Sequence, residues 1–126
     1  MTIDDIDLYL CEIKEYIKKG RYRIERNSKR QDNINLFDSY VIDEEDVKEI
    51  LLDLQPNDFS EKLNNKHKGF EHEKLYVFGK DVELLERYGN SKKKVSLYIK
   101  LNKINHGYVI VVSLHEQKYP MKYYFK

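Results

Sequence analysis

Ile3, Ile6, Leu10, Ile13 and Ile17 recur at steps of three and four, the spacing of one face of an α-helix. Thr2, followed three residues later by Asp5, forms a capping pair in front of them, and Gly20 stands where such a helix ends. The pattern predicts a helix over residues 3–19. RYRIER (21–26) alternates and reads as a short strand or extended arm, whereas residues 27–39 show no period and read as a loop. A second apolar face, Val47, Ile50, Leu51 and Leu54, follows Asp43, an N-cap with acidic residues in the turn behind it. Pro56 closes that helix because it lacks an N–H and disfavours helix at Gln55. Asn57 or Asp58 then caps a short helix to about Asn64, with Phe59 and Leu63 facing inward.

From Glu73 onward the period changes to two. KLYVFG (74–79), DVELLERY (81–88), KVSLYIKL (94–101) and YVIVVSLH (108–115) read as strands, separated by the turn formers GNSK and NKINHG. Short connections between the last three predict an antiparallel meander. MKYYFK (121–126) supplies an edge strand or a packed tail. Helices first and strands second give an α+β fold, with N-terminal helices on a twisted, mostly antiparallel sheet of about four to six strands. At 126 residues, without a repeat or linker, the chain is expected to form one domain, helical over about 1–64 and sheet over about 73–125.

Alternation also assigns faces. Val95, Leu97, Ile99 and Leu101 share one side of their strand, and Ser96, Tyr98 and Lys100 share the other. In the next strand Val109, Val111, Ser113 and His115 fall together. Pairing of the two strands is expected to bring Tyr98, Lys100 and His115 onto one surface, and to leave Glu116 on the opposite one.

Composition narrows the class. Apolar residues make 40% of the chain and charged residues 36%, which is globular rather than disordered. Cys11 is the only cysteine, the opening MTIDDIDLYL is no signal peptide, and no apolar run approaches the roughly 20 residues of a membrane helix. A cytoplasmic protein without a disulfide is expected. The net charge of +1 hides a division: residues 1–60 carry 9 Lys/Arg against 15 Asp/Glu, and residues 61–126 carry 14 against 7. The basic half permits a phosphate-binding face. Eleven tyrosines, each with an apolar ring and a polar tip, suit a half-wet surface or site.

Three segments, ILLDLQPNDFSEKLNN, LYVFGK and VSLYIKL…GYVIVVSLHEQKYPMKYYF, resemble the MqsR family of bacterial type II toxin–antitoxin toxins. The resemblance runs from about Leu8 to Phe125 and is weak over 21–40. It is carried by Leu54-x3-Asp58-Phe59, Tyr98-x-Lys100 and Ser113-Leu114-His115-Glu116. It implies a RelE-like fold and a metal-free messenger-RNA endonuclease, held in check by a cognate antitoxin protein. The family's reaction is attack of a ribose 2′-OH on the adjacent phosphate, leaving a 2′,3′-cyclic phosphate and a 5′-OH. The family's sheet tyrosine corresponds to Tyr98 and a hairpin histidine to His106. His115 stands where the family has lysine. The family's short-helix lysine falls on Glu61 with Lys62 beside it, and its strand glutamine falls near Gly79 or Lys80.

That chemistry needs a base for the 2′-OH, an acid for the leaving oxygen and positive charge for the phosphorane. An imidazole titrating near neutrality makes His115 the candidate acid or base. Tyr98 is the candidate phosphate ligand or stacking ring. Lys62, Lys80 and Lys100 are candidates for transition-state charge, and Lys100, His106, Lys92, Lys93 and Lys94 for the RNA backbone. His67 and His72, five apart, share no helical face, and no glycine belongs to a phosphate loop, so neither metal nor cofactor is expected. The rival reading is a non-catalytic RNA- or protein-binding module of the same fold.

Overall fold

A computed structural model describes residues 1–126. Helix α1 (Ile3–Lys18) starts at the expected capping box, with Thr2 Oγ1 accepting from the Asp5 amide at 3.2 Å and Asp5 Oδ2 from the Thr2 amide at 2.9 Å. Its buried stripe is Ile6, Tyr9, Leu10, Ile13 and Ile17; Tyr9 joins the expected aliphatic residues, and Ile3, the first residue of the helix, lies half-exposed outside the stripe. Strand β1 (Tyr22–Ile24) follows. The stretch read as a loop is instead a 3₁₀ turn, Ser28–Arg30, running into helix α2 (Gln31–Ser39). After the two-residue strand β2 (Tyr40–Val41), helix α3 (Glu44–Leu52) is capped by Asp43 as expected.

Pro56 opens a single 3₁₀ turn, Pro56–Asp58, and the expected short helix does not form. Phe59–Asn64 is strand β3, because the edge of the next strand offers its backbone a ladder from Phe78 to Lys74. The two strands read at 74–79 and 81–88 are one, β4 (Lys74–Glu86), which passes straight through Gly79. Strands β5 (Lys92–Ile104) and β6 (Tyr108–Glu116) complete the antiparallel meander. The sheet order is β1-β6-β5-β4-β2, with β3 sharing the outer edge of β4. Only β1, paired with β6, is parallel. The architecture is therefore α+β, with three helices on a six-stranded mixed sheet.

A contiguous cluster of 21 buried residues joins α1, α2 and α3 to one sheet face through Phe78, Leu97, Ile99, Leu101, Val109, Val111 and Leu114. Each such side chain contributes on the order of 1.5–3 kcal/mol by leaving water. The other sheet face carries no helix, and a tail crosses it instead. Gln117 donates through its amide to Ser96 O (2.8 Å) and through Nε2 to Leu97 O (3.0 Å). Further along, Ser60 Oγ donates to Lys122 O (2.6 Å) and the Tyr124 amide to Phe59 O (3.0 Å). Tyr124 and Phe125 rest against Phe59, so MKYYFK is a packed tail and not an edge strand.

This strap explains the glycine inside β4. A Cβ at position 79 would stand 2.4 Å from Tyr123 Oη and 2.9 Å from Met121 Sδ, so Gly79 leaves the space that these side-chain tips of the tail occupy. Gly79→Ala is expected to turn these tips aside while the tail's backbone bonds to β3 and the core stay in place. Trypsin should then cut at Lys118 and Lys122 no more than a few-fold faster than in the wild type, at nearly unchanged Tm.

Two side-chain contacts hold the end of β6. β1 stops pairing at Ile24, opposite Val111, and from there Asn33 of α2 takes over. Its Nδ2 donates to Glu25 O (2.9 Å) and Val112 O (3.0 Å), and its Oδ1 accepts from the Leu114 amide (2.8 Å). One buried amide thus continues the ladder where the neighbouring strand has run out. On the core side, Tyr40 Oη donates to Glu116 Oε1 at 2.6 Å, and burial together with that carboxylate pushes the phenol up to about 12.

Candidate active site

The span bridged by Asn33 contains a β-bulge. Lys100 pairs with Ser113 and Leu101 with Val111, which leaves Val112 as an extra residue in β6. Strict alternation placed Val109, Val111, Ser113 and His115 on one face, and the structure corrects this. The bulge lets Val109, Val111 and Leu114 enter the core while Ser113 and His115 turn to the strapped face.

Two rungs of residues cross that face side by side. One runs Glu61, Val77, Lys100, Ser113 and the other Gly79, Tyr98, His115, each set in direct register across β3 to β6 or β4 to β6. They floor a cleft of about 590 Å³, walled by Arg30 and by tail residues Lys118–Lys122. Within it Tyr98 and His115 stack, with ring centroids 5.1 Å apart and planes 7° from parallel. Lys100 Nζ lies over the Tyr98 ring, 5.8 Å from its centroid.

Local bonding fixes the roles these groups can take. His115 Nδ1 is 2.8 Å from the Glu116 carbonyl, which can only accept, so Nδ1 carries a proton and Nε2 is the nitrogen free for chemistry. Burial, and then the charge of Glu61, raise the Tyr98 phenol, so it remains an O–H donor throughout the neutral range. Burial, seconded by Arg30 and opposed by Glu61, pulls the Lys100 ammonium below its ordinary value. Lys118 is tied to Asp32 at 2.7 Å and braces the tail against α2.

The other residues singled out from sequence lie elsewhere. Lys80 points to the helix side, where its Nζ meets Asp53 Oδ2 at 3.0 Å and Asp58 Oδ2 at 3.7 Å. Lys62 pairs with Tyr76 on that same side, its charge acting on Asp5 of α1. Neither reaches the cleft, because each is one residue out of phase with the rung beside it. His106 sits in the β5–β6 turn with φ 69°, its carbonyl accepting from the Arg21 guanidinium. The run of β6 from Tyr108 to His115 keeps it more than about 20 Å from His115. Lys92, Lys93 and Lys94 begin β5; Lys93 belongs to the opposite face, and Lys94 pairs with Asp81 at 3.3 Å, about 13 Å along the strand from Tyr98.

Ser113, the first residue of the Ser-Leu-His-Glu motif, also lines the cleft, as do Arg30, Lys118 and Lys122, which no sequence pattern marks. Arg30 lies in a stretch without period, and the lysines lie in a tail whose path no local pattern specifies. A second groove of about 630 Å³ runs between α3 and β4, but Asp46, Glu49, Asp53 and Asp81 make it acidic and repellent to a phosphate chain.

No protein-family model, curated protein or solved structure matches the chain. No helix is long and apolar enough to cross a membrane.

Proposed function

We propose that the protein is a metal-independent endoribonuclease, the toxin of a type II toxin–antitoxin pair, and that the strapped cleft is its active site. One observation carries the enzymatic part. His115 and Lys100 both neighbour the Tyr98 ring in one cleft, the imidazole stacked on it from the next strand and the ammonium two residues along the same strand. The toxin assignment, the antitoxin partner and a cytoplasmic setting rest on the MqsR resemblance.

In this reading the scissile phosphate sits over Tyr98, whose phenol donates to a non-bridging oxygen. The deprotonated fraction of Lys100, enlarged by its lowered pKa, takes the 2′-OH proton as O2′ attacks phosphorus. The P–O5′ bond breaks, and O5′ receives a proton from Nε2 of the His115 imidazolium. The products are a 2′,3′-cyclic phosphate and a 5′-OH, and no electrons are exchanged. Arg30 supplies permanent charge for the phosphorane.

Cleavage of a long RNA in excess chelator tests the proposal, with recurring cuts and cyclic-phosphate ends as the expected outcome. Lys100→Arg separates base from counter-charge, because a guanidinium keeps its proton at every working pH. A loss of about a hundredfold or more is expected at neutrality. Activity within a few-fold of wild type would reduce Lys100 to an electrostatic role. Lys80→Met is expected to leave cleavage unchanged, since Lys80 lies on the far side of the sheet.

A further inference from the structure

The strapped face continues past Lys100 into a second cavity of about 380 Å³, under the loop that joins β3 to β4. Arg30 lines both cavities, so the two form one groove. The floor is apolar, with Ile104 and Ile110 in it, and Phe70 stands at the wall with 53% of its surface exposed. Asn102 is only 5% exposed, and its Oδ1 has no hydrogen-bond partner. Its amide orientation is set by Glu73: Nδ2 donates to Glu73 Oε1 at 3.0 Å, and turning the amide over would place two acceptors against each other. Glu73 Oε1 also accepts from Asn65 Nδ2 at 3.0 Å, and these two bonds leave Oε2 unused.

A flat apolar floor, a half-exposed aromatic ring, an arginine and two idle acceptors match the chemistry of a nucleobase. The ring faces of a base are apolar and stack, whereas its edge offers N–H donors. A buried carbonyl without a partner costs on the order of 1–3 kcal/mol, and a bound donor recovers it. Asn102 is two residues from Lys100 on β5, about 7 Å away, the reach of one neighbouring nucleotide.

Building on the proposed ribonuclease reading, we infer that this cavity is a base-selecting subsite. It seats an unpaired nucleobase next to the scissile phosphate, stacked on Phe70 with its N–H edge toward Asn102 and Glu73. The subsite, and not Tyr98, Lys100 or His115, then sets which sequences are cut.

Two readouts keep the subsite and the nuclease reading separable. First, cut sites on a long RNA in chelator are mapped for wild type and Phe70→Ala. The wild type is expected to show a fixed base beside the cut, and the variant to cut with that preference weakened about tenfold. Second, a random twelve-nucleotide RNA pool is bound to His115→Ala protein, then sequenced, with and without Phe70→Ala. Enrichment of one base at one position, lost on removing Phe70, supports the subsite even if the wild type cuts nothing. Absence of cutting with enrichment present overturns the nuclease reading alone. Cutting without base preference, no enrichment, or enrichment that survives Phe70→Ala overturns the subsite. Phe70 is half outside the fold, so its removal leaves the core intact. Asn102→Leu, checked by its melting curve, is expected to abolish the preference in the same way.

Discussion

His115→Ala is expected to lower metal-free RNA cleavage by about 10²–10⁴-fold, the range spanned by a positioned proton-transfer group. The loss should fall on the rate of cutting more than on RNA affinity, because Tyr98, Arg30 and Lys100 remain to hold the backbone. His115 is partly exposed and is not among the core residues, so the melting temperature should stay within a few degrees. His115→Gln retains a flat polar side chain and is expected to be no better than alanine, since an amide carries no titratable proton. Equal cutting by wild type and His115→Ala would remove the histidine from the mechanism and leave Tyr98 and Lys100 to be tested alone.

The second large effect belongs to Asn33, which touches no substrate. Asn33→Ala deletes three hydrogen bonds at once, leaving the Val112 carbonyl and the Leu114 amide unpaired inside the protein. At about 1–3 kcal/mol for each stranded group, a loss of roughly 3–5 kcal/mol is expected. That is a large fraction of the 5–15 kcal/mol typical of a domain. Urea denaturation of both proteins measures it directly. Asn33→Asp should do no better, because a buried carboxylate would face two carbonyl oxygens in place of the amide that donates to them. Cleavage should fall more steeply with temperature in either variant, since the bulge that aims His115 loses its brace before the core melts. A stability loss below 1 kcal/mol would mean that β6 holds its bulge unaided.

How much of this was legible in the sequence follows from where periodicity carries the information. α1, α3, β5 and β6 bury aliphatic stripes at regular spacing, and their patterns name them. α2 buries only Leu36 and an asparagine, so its inward face is half polar and gives no period. β3 was misread because Phe59 and Leu63 are four apart, as on a helix; a register shift between Phe59 and Glu61 places them on opposite sides of a strand. Gly79 suggested a turn, yet the space it leaves is filled by a tail more than 40 residues later. In the site, Tyr98, Lys100 and His115 were visible as residues that end or interrupt apolar strands. Arg30 and the tail lysines reach the cleft through long-range packing, for which no local spacing exists. Lys62 and Lys80 were chosen one residue out of phase, the error that a period of two punishes most.

The bond between Asn33 and Leu114 spans 81 residues, and β1 finds its only partner in β6. During synthesis the first forty residues therefore leave the ribosome with α1 able to coil but with β1 and Asn33 waiting for a strand not yet made. Tyr98, Lys100 and His115 meet only when residues 98–115 have emerged and folded back. A nascent or truncated chain lacking β6 has no strapped cleft, so whatever that cleft does can begin only after the sheet closes.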